Sequence, residues 1–241
     1  AKAVDAAHRT LAEPEEMAEG VPVVELDYGH VRTSDVKDNL VVLAVAVLKF
    51  VGYTFASVCR CKGAADSEVV TGLCNFLVEA GCTGALRLRT DQELAVEALA
   101  HRVAALRSPA RTIVETTPVK SSSSLGAAER KIQTVDAQAR VLKLAFEARW
   151  QTKVLAVSPV FRYMIRHAGW SLNRFQVTKG RTPFEAVYGH EYRGVVCCFG
   201  EPVQLRLPDA RTQEKLDPQL RMGLWAGKNV SSDEHLVALS S

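Results

Sequence analysis

Apolar positions fall in unbroken stretches early in the chain and in helical steps afterwards. Val21 to Val31 is apolar and β-branched and predicts a first strand. Leu40 to Lys49 is almost continuously apolar, as expected of a strand buried on both faces. Gly52 permits a turn, and Tyr53 to Cys61 supplies a third strand. The links between these runs are too short for crossover helices, so the three predict an antiparallel meander.

The period then changes. Ser67 can cap a helix that carries Val69, Val70, Leu73, Phe76, Leu77 and Ala80 on one face, with Gly81 as its stop. Ala85 to Thr90 reads as a short strand. Thr90 or Asp91 then opens a second helix, with Leu94, Leu99, Val103 and Leu106 expected to face inward. Arg111 to Thr117 is a fifth strand, ended by Pro118. A four-serine stretch leads into a long helix whose apolar positions Ile132, Val135, Ala139, Leu142 and Phe146 form one buried stripe. Ser158-Pro159 starts a further helix through Met164 and Trp170. Thr182-Pro183 to Gly189 predicts a compact one, with Thr as N-cap, Pro at the first position and Gly as stop. Phe199–Leu207, Met222–Lys228 and His235–Leu239 alternate like strands and predict a small, barrel-like β appendage.

The order βββ-α-β-α-β-α predicts an α/β protein: a mixed five-stranded sheet flanked by helices, as in the RNase H-like fold. That topology sets the first strand beside the fourth. The expected organisation is a flexible arm over 1–20, the RNase H-like core over 21–157, a helical extension over 158–193 and the β-rich segment over 194–241.

Composition changes this picture little. The 241 residues are 47% hydrophobic and 24% charged, which suits a globular domain, and no apolar run is long enough to predict a membrane span. No signal peptide is visible at Ala1-Lys-Ala-Val-Asp, and the missing initiator Met predicts a fragment or a processed piece. The six cysteines form no Cys-x-x-Cys pair and predict neither structural zinc nor disulfides. Charge is uneven: residues 1–139 carry 15 basic and 18 acidic side chains, residues 140–241 carry 15 and 9. The excess lies between Arg140 and Arg193 and suits a phosphate backbone, although a solvated helix surface explains it equally well.

The candidate chemistry is a set of carboxylates. Asp27 lies inside Val23-Val-Glu-Leu-Asp27-Tyr-Gly, Asp91 ends Ala85-Leu-Arg-Leu-Arg-Thr-Asp91, and Glu129 stands at the start of the long helix. Two carboxylates on neighbouring strands and one on a later helix can converge on a pair of divalent metals. Each also has an ordinary reading. Asp27 can be a strand-end charge, Asp91 an N-cap, and Glu129 a complement to the helix dipole. Lys120, Ser123, Arg130, Lys131 and Arg140 flank the set and are candidates for nucleic-acid contact. Asp136 is a candidate fourth carboxylate for a nuclease.

Three blocks in order carry a resemblance. They are the carboxylate set with 37 residues between Asp91 and Glu129, the loop Pro118-Val-Lys-Ser-Ser-Ser-Ser-Leu-Gly126-Ala-Ala-Glu129, and Lys179-Gly-Arg-Thr-Pro-Phe-Glu-Ala-Val-Tyr-Gly189. With Phe199-Gly-Glu-Pro-Val and Gly223-Leu-Trp-Ala-Gly after them, the chain resembles the integrase catalytic core of LTR retrotransposons, most nearly the copia type within the retroviral integrase superfamily. The resemblance implies a Asp27, Asp91, Glu129 triad holding two Mg²⁺ or Mn²⁺ ions. It implies a polynucleotidyl transferase that trims a DNA 3′ end and joins it to target DNA. It further implies element-end and target DNA as partners, a homo-oligomer when active, no membrane, and an intracellular, nuclear setting during integration. The chain departs from the pattern at Asp27-Tyr-Gly-His30 and at Asp91-Gln-Glu-Leu, and the family's upstream His and Cys zinc domain has no counterpart here. The competing reading is a catalytically inactive relic that serves as a nucleic-acid-binding or interaction module.

Overall fold

The computed structural model describes residues 20–33, 40–117, 125–206 and 220–239. Five strands form the main sheet: β1 (Val23–Arg32), β2 (Leu40–Leu48), β3 (Tyr53–Val58), β4 (Leu86–Thr90) and β5 (Thr112–Thr116). Their spatial order is β3-β2-β1-β4-β5. The β1–β2 and β2–β3 pairs are antiparallel, while β1–β4 and β4–β5 are parallel. The meander and the β1–β4 adjacency are therefore both present.

Alternation along each strand assigns its side chains to two faces. Val24, Leu26 and Tyr28 of β1 pack with the helices α1 (Ser67–Glu79) and α2 (Leu94–Leu106) in one core. Leu43 and Val45 of β2 pack on the other side with α3 (Gly126–Trp150) and α4 (Pro159–Phe175). Burial on both faces explains the near-continuous apolar run of β2, and each fully buried leucine in it contributes about 2 kcal/mol of transfer free energy.

Strand β3 is one edge of the sheet, and α4 closes it. The Asn173 amide reproduces a strand partner: its Oδ1 accepts from the Thr54 N–H at 2.7 Å and its Nδ2 donates to the Thr54 carbonyl at 2.8 Å. Gly169 allows the approach, because a Cβ there would meet the Ala56 nitrogen and Cβ at 3.3 Å. An edge sealed by a helix cannot template pairing with another chain.

The short helix α5 (Pro183–Tyr188) carries the capping box expected of Thr182, with Glu185 bonding back to the Thr182 N–H. Beyond it, β6 (Pro202–Arg206), β7 (Leu220–Lys228) and β8 (His235–Leu239) make an antiparallel three-stranded sheet in the order β6-β7-β8. It stacks on α4 through His167, whose ring lies 5.4 Å from Phe199 and 5.2 Å from Trp225. Its three strands form an open sheet rather than a barrel. Trp170 and Trp225 are core residues as expected, whereas Trp150 is 39% exposed.

Two local expectations are corrected. The first helix is capped by Asp66 rather than Ser67: the Asp66 Oδ1 accepts from Val69 N–H, and its Oδ2 accepts from Arg60 N–H. One carboxylate thus ties the preceding loop to the helix, which a hydroxyl cannot do as well. In α2, Leu94 and Leu106 are exposed at 81% and 51%, and the buried stripe is Val96, Leu99, Ala100 and Val103. Asp91 accepts from the Glu93 N–H at 3.0 Å, a local turn that delays winding until Leu94 and so sets a different helical phase. All six cysteines are free, and no described helix is long and apolar enough to cross a membrane. The expected arm over 1–20 falls almost wholly outside the described residues.

Candidate active site

Helix α3 runs along β1, and three alternate residues of the strand face it. Glu25 meets its first turn, where its Oε2 accepts from the N–H groups of Ala127 at 2.9 Å and Ala128 at 3.0 Å. Gly29 lies under the second turn, where an added Cβ would stand only 2.8 Å from Ile132 Cγ2. Asp27, between them, shares their side of the strand and opens toward Glu129 in the first turn of α3.

The parallel pairing of β1 with β4 brings in the second carboxylate. Glu25 is level with Arg89. Two residues further along come Asp27, inside β1, and Asp91, the residue that follows the end of β4 at Thr90. Gln92 anchors the chain just beyond, its Nε2 donating to the Thr117 carbonyl at 3.0 Å. Asp27 and Asp91 are half-buried and Glu129 is exposed.

Burial is the main cause that pushes the Asp27 carboxyl up to about 6, and the negative fields of Asp91, Glu129 and Glu93 add to it. The hydrogen bond from its neighbour Tyr28 N–H, at 2.7 Å, pulls the other way. Carboxylate oxygens suit a hard divalent ion such as Mg²⁺. Among the described residues, however, no three His, Cys, Asp or Glu side chains are gathered closely enough to form a metal-holding group. The carboxylates share one electrostatic neighbourhood without forming a closed cage.

Two residues at the site were not legible as functional. Glu25 is 1% exposed and supplies the cap that α3 lacks from its own N-cap residue, Leu125. It also stands 3.9 Å from the Lys49 ammonium. Two residues before an aspartate in a strand it looks like any other charge, and only the tertiary fold shows what it holds. Glu93 contributes to the field at Asp27 and pairs with Lys62 at 2.7 Å, whose ammonium lies 5.1 Å from the Tyr28 ring. Asp136, weighed as a fourth carboxylate, is absent from the groups that perturb Asp27. It is seven residues beyond Glu129, roughly 10 Å along the helix.

The basic candidates separate. Lys120 and Ser123 lie outside the described residues. Arg130 is exposed in the first turn of α3, and its guanidinium lies against Gly126. Lys131 is half-buried, donates to Gln176 Oε1 at 3.1 Å, and has its pKa lowered by burial. Arg140 sits eleven residues beyond Glu129, roughly 16 Å along the helix. There it lines a different hollow, together with Arg32, Asp136 and Lys143.

A mixed five-stranded sheet in the order β3-β2-β1-β4-β5, with helices on both faces, defines an RNase H-like fold of the integrase-core type. Comparison with solved structures agrees. The HTLV-2 integrase catalytic core domain in complex with magnesium, in its trimeric form, superposes with a TM-score of 0.51 at 17% identity, over 70% of this chain and 98% of that one. The chain of a simian T-cell lymphotropic virus intasome, solved with the PP2A regulatory subunit B56 gamma, gives a TM-score of 0.50 at 16% identity over 91% of this chain and 77% of that one. The catalytic core of BIV integrase matches at 18% identity over 69% and 93%, with a TM-score of 0.47. No protein-family model and no curated protein matches the sequence. At these identities the likeness shows the fold.

Proposed function

We propose that the chain is a polynucleotidyl transferase that acts in DNA integration, with Asp27, Asp91 and Glu129 as its catalytic carboxylates. The observation that carries this reading is the integrase-core fold, whose parallel β1–β4 pairing brings Asp27 and Asp91 toward the start of α3, where Glu129 stands. Asp27, Asp91 and Glu129 would hold divalent magnesium or manganese, which when bound stabilises attacking and leaving oxygens in an in-line phosphoryl displacement. The chain's own residues do the rest. Glu25 fixes the start of α3 and with it Glu129. Gly29 lets α3 approach β1. Arg130 and Lys131, with Lys120, Ser123 and Arg140 as further candidates, hold phosphates next to the cleft. Water as nucleophile trims a DNA 3′ end, and the resulting 3′-hydroxyl as nucleophile joins that end to target DNA. The bound solved relatives support DNA and a further copy of the chain as partners, and the sequence blocks favour a retrotransposon source.

The test is strand transfer of a pre-trimmed DNA end into supercoiled plasmid with Mg²⁺ or Mn²⁺. Joined product is expected from the native chain, with at least a hundredfold loss in Glu129→Gln. Product at equal rates from both proteins would overturn the assignment. No product from either, with DNA binding retained, would favour the inactive binding module.

A further inference from the structure

A second concavity opens at the start of α3, where Ala127, Arg130 and Lys131 line it. Its volume is about 510 Å³. One wall is the tip of the β2–β3 hairpin, with Lys49 and Phe50. The floor is the first two turns of α3, with Arg130 and Lys131. The other wall is the turn at 178–181, with Lys179 and Arg181. Five cationic side chains line it and no carboxylate does. The other described hollows differ: the one beside Asn173 contains Glu68 and Glu79, the one beside Tyr188 contains Glu79 and Asp233, and that around Arg140 contains Asp136.

Two features indicate what such a groove takes. Phe50 is 47% exposed at the hairpin tip, and its backbone is left-handed with φ 69°. A large aromatic side chain rarely adopts that conformation, which here keeps the ring in solvent at the groove rim. The Lys49 ammonium lies 5.4 Å from the ring centroid. An exposed aromatic face beside a row of cations is the combination that holds unpaired bases and their phosphates. The groove also begins where the carboxylate site ends. Ala127 lines it, and the Ala127 N–H is bonded to Glu25.

We infer that this groove binds a single-stranded DNA segment, with Lys49, Arg130, Lys131, Lys179 and Arg181 on its phosphates and Phe50 stacked on a base. The strand enters from the carboxylate cleft around the start of α3. The inference rests on the nucleic-acid reading of that cleft but needs no metal and no chemistry. It also gives the Lys179-Gly-Arg turn a task. The backbone is left-handed at Lys179 and Gly180, with φ 55° and 84°, and this tight turn sets Lys179 and Arg181 beside the groove.

Fluorescence anisotropy of a labelled oligo-dT, titrated with the whole chain across a salt series without metal, tests it. The native chain is expected to bind the single strand more tightly than the same length of duplex. Lys179→Asn with Arg181→Gln should weaken binding about tenfold or more and flatten the slope of log affinity against log salt by about 1.4. Asn is chosen because it tolerates the left-handed backbone. Phe50→Asn should weaken binding about tenfold with the slope unchanged. Unchanged affinity and slope in the double variant, a preference for duplex, or equal displacement by poly-glutamate would each overturn the groove assignment. Circular dichroism melting confirms that the variants fold, and reversal of all three changes by the native residues excludes a folding artefact. Glu129→Gln separates the two readings. If it binds oligo-dT normally while no protein joins DNA ends, the catalytic proposal fails and the groove stands.

Discussion

At the level of single residues, Asp27 is where the proposed function opposes stability. Its carboxyl is raised from 3.8 to about 6, first by burial and then by Asp91, Glu129 and Glu93. A group whose pKa is higher in the folded state stabilises the fold fully below its unfolded pKa, and that stability is lost as pH rises through 6. At neutral pH the ionised group is therefore a burden. Asp27→Asn should raise unfolding free energy at pH 7 by about 1–2 kcal/mol, a figure reduced for partial solvent screening. Urea denaturation at pH 7 and pH 4 measures this, and the gain should vanish at pH 4. Mn²⁺ should raise the melting temperature of the native chain and leave that of the variant unmoved. A variant less stable than the native chain at pH 7 would mean that the carboxylates are not crowded. Asp27, Asp91 and Glu129 could be singled out in the sequence because they stand in a strand interior, just past a strand end and at a helix start, in blocks of fixed order. Glu25 was not legible, because its reason is a pair of N–H groups more than a hundred residues away in the chain.

At the level of elements, the site depends on how α3 is held at its start. Leu125 offers no side-chain cap, and Glu25 supplies the missing acceptor from β1. Glu25→Ala leaves two helical N–H groups without that partner and removes a negative charge from the positive end of the helix dipole. It should cost about 2–3 kcal/mol. Glu25→Gln keeps an acceptor oxygen and should cost about 1 kcal/mol. Chemical denaturation orders the two, and hydrogen exchange at Ala127 and Ala128 should quicken in the Ala variant first. Equal costs for both substitutions would mean that packing, not capping, is what Glu25 provides. The stripe of α3 was readable from its spacing because it is long and its phase is set by its own apolar residues. The phase of α2 was not readable. Asp91 engages the Glu93 N–H in a local turn, and the helix begins after that competition is settled.

At the level of the whole molecule, the meander followed from link lengths, since short links force antiparallel neighbours, and the β1–β4 adjacency followed from the element order of the RNase H-like fold. What joins the C-terminal sheet to the core did not, because it depends on one buried ring meeting residues from distant segments. His167 stacks on Trp170 at 5.3 Å, and beyond it lie Phe199 and Trp225. Its Nδ1 is buried without a hydrogen-bond partner among the described residues. Burial, aided by the charge of Arg174, lowers its pKa from 6.5 to about 4. A histidine depressed in this way folds neutral. Between pH 6.5 and 4 the unfolded chain takes up the proton and the folded one does not, so stability falls as pH falls through that window. The full effect is about 3 kcal/mol, with about 2 kcal/mol already lost at pH 5. Asp27 titrates in the opposite sense, so the two must be separated by a variant. His167→Phe keeps an aromatic ring in the stack and removes the titration. The stability difference between native chain and variant should therefore shift by about 2 kcal/mol in favour of the variant between pH 7 and pH 5. Asp27 is common to both and cancels. Tryptophan fluorescence during urea unfolding at the two pH values reads it, and a difference that stays constant would mean that His167 accepts its proton in the folded state and that the sheet docks by other contacts.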